Sequence, residues 1–444
     1  MLGATLRIPR TLVRVSELHA DLTIGNPQFW KQKMAGLPVT VEPTLELWND
    51  RGDTIHVPRH YAPQWRGVPP RAKDVRDLWR SGRLAHRIEL RNAIQRDASE
   101  ALRERFTDKI LTLACGAGKT CTALHAASEG RRFPVLIVVH TNALMDQWRE
   151  QIAKFYKINP EDVGHIQGSK ADWRGKKIAV AMLHTLCLRK YEQEFYDYWR
   201  LVIFDEAHRL GAQFFMKAAP LFRAERWGLS ATVEREDKMD KAFKMHLGEV
   251  AYSNLEQDLK PKVFFIETGI SMDLGKYMFR GGRVNTGKLY TDLSEHPARN
   301  RQILQVLTRA LQADRTILVL GERLSQLHEM HEQLRSMGED SAIYVGSMGA
   351  EERREALTHR IVFGTQHIAR EGLDRPSFDT LAILIPFGGE GRLQQSIGRI
   401  LRLKDGKKSP KVLVFRDNIS IIRAISNKME RSLRNLGFKA KVAA

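Results

Sequence analysis

The sequence predicts an α/β protein with two parallel-sheet lobes behind a small β-rich segment. Its 444 residues suffice for several domains. From about residue 86, short apolar runs alternate with helical patterns, which is typical of parallel strands joined by helices. The alternation starts again after about residue 295, so we expect a second lobe. The predicted domains are a β-rich amino-terminal domain at 1–85, a first lobe at 86–240, an interlobe segment with a basic hairpin at 241–295, and a second lobe with a basic carboxyl-terminal helix at 296–444.

Apolar runs bounded by polar or glycine-containing stretches predict the individual strands. In the first lobe they are Ile110–Leu113, Val135–Val139, Ile178–Met182, Leu201–Phe204 and Trp227–Leu229. In the second lobe they are Ile317–Leu320, Ala342–Val345, Arg360–Phe363, Thr380–Ile385 and Val412–Phe415. In the amino-terminal domain they are Leu6–Ile8, Leu12–Val15, Val39–Val41 and a hairpin of Leu45–Trp48 with Thr54–Val57. The turn of that hairpin contains Asp50 and Gly52, residue types common in hairpin turns.

The charge balance indicates a polyanionic partner. Hydrophobic residues make up 43% of the chain and charged residues 28%, which is an ordinary globular composition and excludes a disordered or collagen-like chain. Lys and Arg number 71 against 52 Asp and Glu, giving a net charge of +19. A positive field attracts polyanions. Nucleic acid is the first candidate partner, and an anionic membrane surface is the second.

Cysteine usage and hydropathy indicate a cytoplasmic protein. The three cysteines, Cys115, Cys121 and Cys187, form no CxxC pair and no zinc-site spacing, so we expect neither disulfides nor a metal cluster. Arginines interrupt the apolar residues of the amino end, as they would not in a signal peptide. No run approaches the roughly 20 apolar residues of a membrane helix, so we expect no membrane partner.

A glycine-rich turn follows the first strand of the first predicted lobe. The order is a strand, a short loop and a helical segment, in which backbone N–H groups converge on phosphate. Lys119 would reach the β- and γ-phosphates of a nucleotide, and Thr120 would hold Mg²⁺. The predicted nucleotide-binding residues of this segment are Cys115, Gly116, Ala117, Gly118, Lys119 and Thr120. Leu113 stands where nucleotide-binding loops usually have their first glycine.

Two acidic residues follow a buried strand further along the chain. Leu201–Phe204 is succeeded by Asp205-Glu206-Ala207-His208. Asp205 can hold the metal and Glu206 can polarise the attacking water, which are the two tasks that transfer of a phosphoryl group to water requires.

Together these motifs resemble those of the superfamily two helicases and translocases, of the DEAH-box type. Gly228–Thr232 resembles the motif that couples ATP to nucleic-acid movement. Ile361–Thr365 with Glu371–Asp374 resembles the fifth motif, and Gln395–Arg402 has the QxxGRxxR form of the sixth. The likeness covers about residues 88–418 and implies two RecA-like lobes that clamp ATP between them.

The resemblance assigns further roles around the nucleotide. It implies that Arg399 and Arg402 act as arginine fingers, a role that suits guanidinium groups facing a charged γ-phosphate. It places His208, Ser230, Thr232 and Gln395 in coupling, and Gly372 and Asp374 at the nucleotide. Gln95 resembles the residue that reads adenine, although its spacing from Arg91 differs from the family's, and a surface glutamine on an amphipathic helix is the other interpretation.

The resemblance also suggests where DNA would be contacted. The implied positions carry hydroxyl, imidazole or amide groups suited to tracking phosphates: His140, Thr141, Asn142, His184, Thr185 and Thr365. Trp148 could stack on a base, but Leu144 lies four residues before it on the same helical pattern, which favours a core position.

Basic segments outside the motifs extend the candidate DNA surface. The stretch Lys276–Lys288 predicts a hairpin in which Arg280 and Arg283 flank two glycines, with Tyr277 and Phe279 beside them. Such a hairpin could separate duplex strands, or be an ordinary surface turn. The amino-terminal domain adds Lys31, Lys33, Arg51, Arg59 and Arg66 with Trp30, Trp48 and Trp65.

Within the superfamily, the sequence is similar to the XPB-like repair helicases and to the UvsW-like phage recombination helicases, including those of T-five-like phages. The triplet Arg235-Glu236-Asp237 contributes to that likeness and also occurs in restriction-type translocases. We therefore expect a monomeric, ATP- and Mg²⁺-dependent DNA helicase that acts on forks and four-way junctions. The alternatives are an RNA helicase, a restriction-type DNA translocase, and a DNA-binding scaffold in which ATP only switches conformation.

Overall fold

The computed structural model describes residues 3–61, 82–114, 116–206, 216–231, 240–256, 259–279, 282–366, 375–402 and 404–443. The chain divides into two compact units. Unit 1 comprises Met1–Leu113 and Gly118–Leu255, and unit 2 comprises Ala114–Ala117 and Glu256–Ala444.

Unit 1 contains an eight-stranded sheet and two small sheets. The strands are β1 (Leu6–Pro9), β2 (Thr23–Gly25), β3 (Thr44–Glu46), β4 (Asn49–Asp50), β5 (Thr54–Val57), β6 (Lys109–Leu113), β7 (Val135–Val139), β8 (Gly164–Gln167), β9 (Lys170–Asp172), β10 (Ile178–Met182), β11 (Leu201–Phe204), β12 (Glu225–Ser230) and β13 (Val250–Asn254). The described helices are α1 (Val15–Leu22), α2 (Pro27–Met34), α3 (Ala93–Arg103), α4 (Lys119–Glu129), α5 (Asn142–Tyr156), α6 (Leu183–Leu188), α7 (Gln193–Tyr198) and α8 (Asp240–Leu247). The large sheet has the order β13-β6-β12-β11-β7-β10-β8-β9, and only the β8–β9 pair is antiparallel.

Unit 2 contains a seven-stranded parallel sheet. Its strands are β14 (Lys262–Glu267), β15 (Ile317–Gly321), β16 (Ser341–Tyr344), β17 (Ile361–Thr365), β18 (Thr380–Ile383), β19 (Lys411–Arg416) and β20 (Ala440–Ala443), in the order β16-β17-β15-β18-β19-β14-β20. Its described helices are α9 (Thr286–Ser294), α10 (Pro297–Gln312), α11 (Leu324–Ser336), α12 (Ala350–Ala356), α13 (Glu390–Gly398) and α14 (Ser420–Asn435). No helix among the described residues is long and apolar enough to cross a membrane.

The predicted α/β class with two parallel sheets is confirmed. Every strand predicted for the two lobes is present, with bounds that agree to within two residues. The predicted carboxyl-terminal helix is α14, which buries Ile422, Ser426, Met429 and Leu433 along one face. These side chains recur every three to four residues, as burial of one helical face requires.

The amino-terminal segment differs from its prediction in three places. Leu12–Val15 is not a strand, because a short 3₁₀ helix at Arg10–Leu12 leads into α1. The reason is that Leu18 and Leu22, four residues apart, are both buried on one face of that helix. Val39–Val41 forms no strand either. The predicted hairpin is wrong in its first strand: β5 pairs with Asn49–Asp50, which was expected in the turn, whereas Leu45 and Glu46 lie in β3, which pairs with β2.

The amino-terminal segment and the expected interlobe segment are both integrated into the two units. Side chains of β1, α1 and β5 belong to the same hydrophobic cluster as side chains of β7 and β11, among them Leu18, Leu22, Ile55, Leu136 and Phe204. Residues 241–295 are divided between the units, because β13 pairs with β6 in the first sheet and β14 lies between β19 and β20 in the second.

A buried ionic network joins the amino-terminal segment to the large sheet of unit 1. Asp108, directly before β6, accepts two hydrogen bonds from Arg59 Nη1 at 2.8 and 2.9 Å. His60 Nε2 lies 2.8 Å from Oδ2 of the same carboxylate, and the backbone N–H of Arg226 on β12 donates to Oδ1 at 2.9 Å. Burial alone would raise the pKa of Asp108, but Arg59, His60 and Arg226 hold it well below its usual value. The carboxylate therefore stays ionised and paired.

We expect Asp108→Asn to destabilise unit 1 because it leaves the Arg59 guanidinium buried without a counter-charge. Breaking a buried ion pair from one side costs roughly 3–5 kcal/mol, which corresponds to a loss of about 10 °C in Tm for a unit of this size. Differential scanning calorimetry at neutral pH measures it. The depressed pKa means that the carboxylate's contribution is present at pH 7 and is lost as the pH falls through the folded-state value.

The control for this prediction is Asp162→Asn, which removes an exposed carboxylate from a 3₁₀ helix of the same unit. It should leave Tm within about 1 °C, as surface substitutions usually do. Equal Tm values for both variants would show that the Asp108 network does not stabilise unit 1.

Candidate functional site

The predicted site residues of unit 1 lie along one edge of the large sheet. In the parallel part of this sheet, β6, β12, β11 and β7 are consecutive neighbours, so their carboxyl ends lie side by side. The phosphate loop follows β6, Ser230 ends β12, Asp205 follows β11, and His140 follows β7. This edge is where open α/β sheets bind their ligands.

The phosphate loop has the local geometry of an anion cradle. Gly116 and Gly118 adopt left-handed backbone angles, with φ of +85° and +88°. α4 begins at Lys119, so its first free N–H groups stand at the end of the loop. Lys119 Nζ donates to the carbonyl oxygen of Leu113 at 3.2 Å. Thr120 is the second residue of α4.

Gln95 is part of this loop's surroundings and not a surface residue. It lies on α3 with its side chain buried, and its Oε1 accepts the backbone N–H of Arg91 at 2.8 Å. A Cβ built on Gly118 would stand 2.3 Å from Gln95 Nε2 and 3.4 Å from Arg91 Nη2. Glycine at 118 suits the positive φ, and a side chain there would have to displace the Gln95 amide. Arg91, whose role the sequence left in doubt, lies beside the loop.

Asp205 and Glu206 are placed by the end of β11. Glu206 has a φ of +50°, which is uncommon for a residue with a side chain. This conformation lets the Glu206 N–H donate back to Asp205 Oδ1 at 2.9 Å. Trp148 Nε1 of α5 donates to Asp205 Oδ2 at 2.7 Å. The Asp205 carboxylate is thus buried and held through both of its oxygens.

Opposing interactions act on the pKa of the Asp205 carboxyl group. Burial and the neighbouring Glu206 carboxylate raise its pKa, and the Trp148 hydrogen bond and the Lys119 charge oppose that rise. Because Lys119 acts on Asp205, the lysine of the loop and the acid of β11 lie within electrostatic reach of each other.

Of the residues of unit 1 that are predicted to contact DNA, some are exposed and others hydrogen-bond within the protein. Thr141 is the N-cap of α5 and accepts the Leu144 N–H at 3.3 Å, and Asn142 is exposed beside it. His184, in the first turn of α6, is exposed as well. Thr185 is buried, and its hydroxyl accepts the Gly168 N–H at 3.0 Å, so its measurable role is to hold the Gly168 turn.

The predicted residues of unit 2 lie on separate elements. Thr365 ends β17, Gln395 is buried on α13, and Arg399 and Arg402 follow that helix with their side chains half-buried. Arg283 is exposed on the basic hairpin. The remaining predicted residues lie outside the described part of the chain: Cys115, His208, Thr232, Arg280, Gly372 and Asp374.

The described flanks of the basic hairpin pair with each other, and one of them exposes apolar side chains. Met278 and Val284 form an antiparallel bridge, and Phe279 N–H donates to the Arg283 carbonyl at 2.8 Å. Met278 and Phe279 are 47% and 56% exposed. Large apolar side chains that project into solvent beside an arginine are candidates for contact with bases.

Unit 1 also contains a basic pocket that sequence reasoning did not find. Its volume is about 490 Å³. The charged residues that line it are Arg7, Arg51, Lys217, Arg223 and one acid, Glu46, and they lie beside the aromatic rings of Trp48 and Tyr196. Two of the basic residues predicted for the amino-terminal domain lie in different environments. Arg51 lines this pocket, whereas Arg59 is buried against Asp108. Among the described residues no three His, Cys, Asp or Glu side chains gather as a metal site would need.

Comparisons with known proteins show what the chain resembles. A family model described as "Type III restriction enzyme, res subunit" matches residues 87–235. A protein named putative ATP-dependent RNA helicase, from Acanthamoeba polyphaga mimivirus, is 26% identical over 453 residues, covering 96% of this chain and 82% of its own. A DNA 3′-5′ helicase XPB from Kineococcus radiotolerans is 24% identical over 310 residues, covering 66% of this chain and 54% of that protein. These likenesses support an ATP-hydrolysing helicase of superfamily two.

The fold of the chain agrees with that of a solved structure. The structure of S. cerevisiae Dbp5 bound to RNA and ADP BeF3 aligns with 79% of this chain and 89% of its own, with a TM-score of 0.55 and 14% identity. The two parallel sheets are therefore RecA-like lobes. The helicase spans about half the length of the XPB relative that it matches.

We expect Gly118→Ala to weaken ADP binding by about 10-fold or more, because the new methyl group would displace the Gln95 amide from the loop. Isothermal titration calorimetry measures the affinity. Gly175→Ala is the matched control, since Gly175 also has a positive φ, +74°, but no atom within 4 Å of a built Cβ. The control should lose only about 1 kcal/mol of stability and keep its ADP affinity. Equal ADP affinities in both variants would contradict the role of Gln95 beside the loop.

Proposed function

We propose that this helicase remodels branched DNA, such as forks and four-way junctions, in replication, recombination or repair. The observation that carries the proposal is that the residues of the site in unit 1 lie at the carboxyl ends of strands in one parallel sheet. The phosphate loop, the acid pair and the exposed positions Asn142 and His184 all follow carboxyl ends of strands in one parallel sheet. A nucleic acid bound along that edge would touch the elements that hold ATP.

ATP hydrolysis in this proposal is divided among named residues. Lys119 and the N–H groups of the loop bind the phosphates, and Glu206 orients the attacking water. Arg399 and Arg402 neutralise charge that develops on the γ-phosphate, as arginine fingers do. Ser230 and Gln395 couple hydrolysis to movement. Gln95 reads the base, although its Oε1 is engaged by Arg91 N–H and leaves chiefly its amide group for that task.

The oxygen donors of this site fit Mg²⁺. Each oxygen of Asp205 accepts one hydrogen bond, which leaves each with a lone pair, and the Thr120 hydroxyl adds a third hard donor. Mg²⁺ is usually held by one or two carboxylates together with substrate phosphates and water, without a cage made only of protein groups. When bound, the ion would draw charge from the β- and γ-phosphates.

Charge and relatives favour DNA. The net charge of +19 supplies a field for a polyanion of either kind. The XPB relative is named as a DNA 3′-5′ helicase, and we propose the same substrate and polarity here. The name of the mimivirus relative favours RNA, and the restriction family model favours a DNA translocase that unwinds nothing. These are the two alternatives that an experiment must separate.

Two features support a branched substrate. The basic hairpin presents Met278 and Phe279 beside Arg283, which suits insertion at the point where a duplex opens. The basic pocket presents Arg7, Arg51 and Trp48 from the amino-terminal segment, and cationic groups beside an aromatic ring suit the backbone and bases of a second arm. A junction supplies both kinds of contact at once.

We expect the ATPase rate to be stimulated most by a four-way junction, because only a junction offers an open strand and duplex arms together. The assay compares no nucleic acid, single-stranded DNA, linear duplex, a four-way junction and RNA. Glu206→Gln is the blank, and it should lower kcat at least about 100-fold because the water loses its base. Strongest stimulation by RNA would replace the proposal with the RNA helicase. Equal stimulation by duplex and junction, without strand separation, would favour the translocase.

We expect the double variant Phe279→Ala with Arg283→Ala to unwind a fork at least about five-fold more slowly, since it loses a stacking ring and a phosphate contact worth roughly 1–3 kcal/mol. Its ATPase rate on single-stranded DNA should stay within about two-fold, because neither residue lies in the ATP motifs. A strand-displacement assay measures unwinding. The control is Met337→Ala with Arg335→Ala, an exposed apolar and basic pair on another part of unit 2. Normal unwinding in the hairpin variant would remove the hairpin from strand separation.

A further inference from the structure

Trp148 donates its indole N–H to the acid that the proposed function assigns to the metal. It lies near the middle of α5, is 1% exposed, and its Nε1 stands 2.7 Å from Asp205 Oδ2. The two residues are 57 positions apart in sequence. This contact makes Trp148 more than the core residue that its helical pattern predicts.

The hydrogen bond from Trp148 completes the orientation of the Asp205 carboxylate. The Glu206 N–H holds Oδ1 from the peptide side at 2.9 Å, and the indole holds Oδ2 from the α5 side at 2.7 Å. With one donor on each oxygen, the plane of the carboxylate is fixed. The remaining lone pairs then have set directions, as an octahedral ion with strict geometry requires.

Comparison with the other fully buried tryptophans of unit 1 separates this contact from packing. Trp199 is equally buried among Phe195 and Tyr198, and its Nε1 makes no hydrogen bond with the residues that the structure describes. Trp227 Nε1 donates to Glu225 on its own strand at 2.8 Å. A buried indole of this unit can thus be accommodated without a carboxylate of the site, so the Trp148 contact is not a general need of the core.

We propose that Trp148 is a positioning residue of the ATP site, whose indole N–H orients the Asp205 carboxylate toward the nucleotide-bound cation. The inference rests on the proposed role of Asp205. Groups that hold a metal ligand in place typically change metal affinity or activity by about 10–100-fold when they are removed. The ring of Trp148 fills the core, and its N–H acts on the site, so the two functions can be separated by substitution.

The test compares Trp148→Phe with Trp199→Phe. Both variants replace a buried indole by a phenyl ring in the same unit, but only the first removes a hydrogen bond to Asp205. Mn²⁺ serves as the probe cation, and its binding in the presence of ADP is followed by electron paramagnetic resonance. Trp148→Phe should weaken Mn²⁺ binding by about 10-fold and lower kcat by a similar factor, while KM for ATP and metal-free ADP affinity stay within about two-fold. Trp199→Phe should keep all four values.

A measurement on the unmodified chain guards against a variant that does not fold. In ¹⁵N spectra of the indole groups, addition of Mg²⁺ to the ADP-bound protein should shift the Trp148 resonance and leave that of Trp199 in place. Unchanged Mn²⁺ affinity in Trp148→Phe, equal losses in both variants, or an indole signal insensitive to Mg²⁺ would each overturn the inference. If the unmodified chain neither binds Mn²⁺ with ADP nor hydrolyses ATP, the proposed function fails instead.

Discussion

Asp108 is a carboxylate buried within unit 1, and the arrangement of that unit depends on how its charge is compensated. Its partners come from two distant segments: Arg59 and His60 from the amino-terminal segment, and Arg226 from β12. Arg59 continues to the carbonyl oxygens of Phe222 and Ala224. A buried ion pair gives little net stability over an apolar pair, but removing one partner is costly. Arrangements that separate these segments are therefore excluded, and β6 and β12 are held where their carboxyl ends form the site.

Unit 2 uses the same device at a different place. Arg299 of α10 and Asp417 after β19 form an ion pair of 2.8 Å with both side chains fully buried. Thr268, after β14, donates to the same carboxylate oxygen, and Arg299 also donates to the Leu384 carbonyl after β18. Three neighbouring strands are thus tied at their carboxyl ends. In both units the buried charges lie just outside a strand, where the backbone leaves the sheet and its polar groups need partners.

The central strands and the ATP motifs could be predicted because their signals are local. Val135–Val139 and Leu201–Phe204 are continuous apolar runs, since both faces of a central strand are covered. The edge strand β13 escaped prediction because it is only partly buried and its sequence, Val250–Asn254, carries no such run. The contacts of Arg59 and Trp148 could not be predicted, because each joins residues about fifty positions apart. A charged residue directly before a predicted strand, such as Arg226 before Trp227–Leu229, was the available signal for the Asp108 network.

α5 carries residues proposed for DNA binding and for ATP hydrolysis, so the two processes can influence each other through this helix. Its N-cap is Thr141 and its exposed first residue is Asn142, which are proposed strand contacts. Further along α5, Trp148 donates to Asp205. Tyr156, the last residue of α5, donates to the Leu124 carbonyl of α4, the helix that begins at the phosphate loop. Rigid elements transmit a displacement because packed cores move as a unit. A DNA phosphate that displaces the start of α5 would therefore move the Trp148 indole, which donates to Asp205. It would also move Tyr156, which contacts the helix that follows the phosphate loop. Hydrolysis in such a helicase would respond to nucleic acid without any direct contact between the strand and ATP.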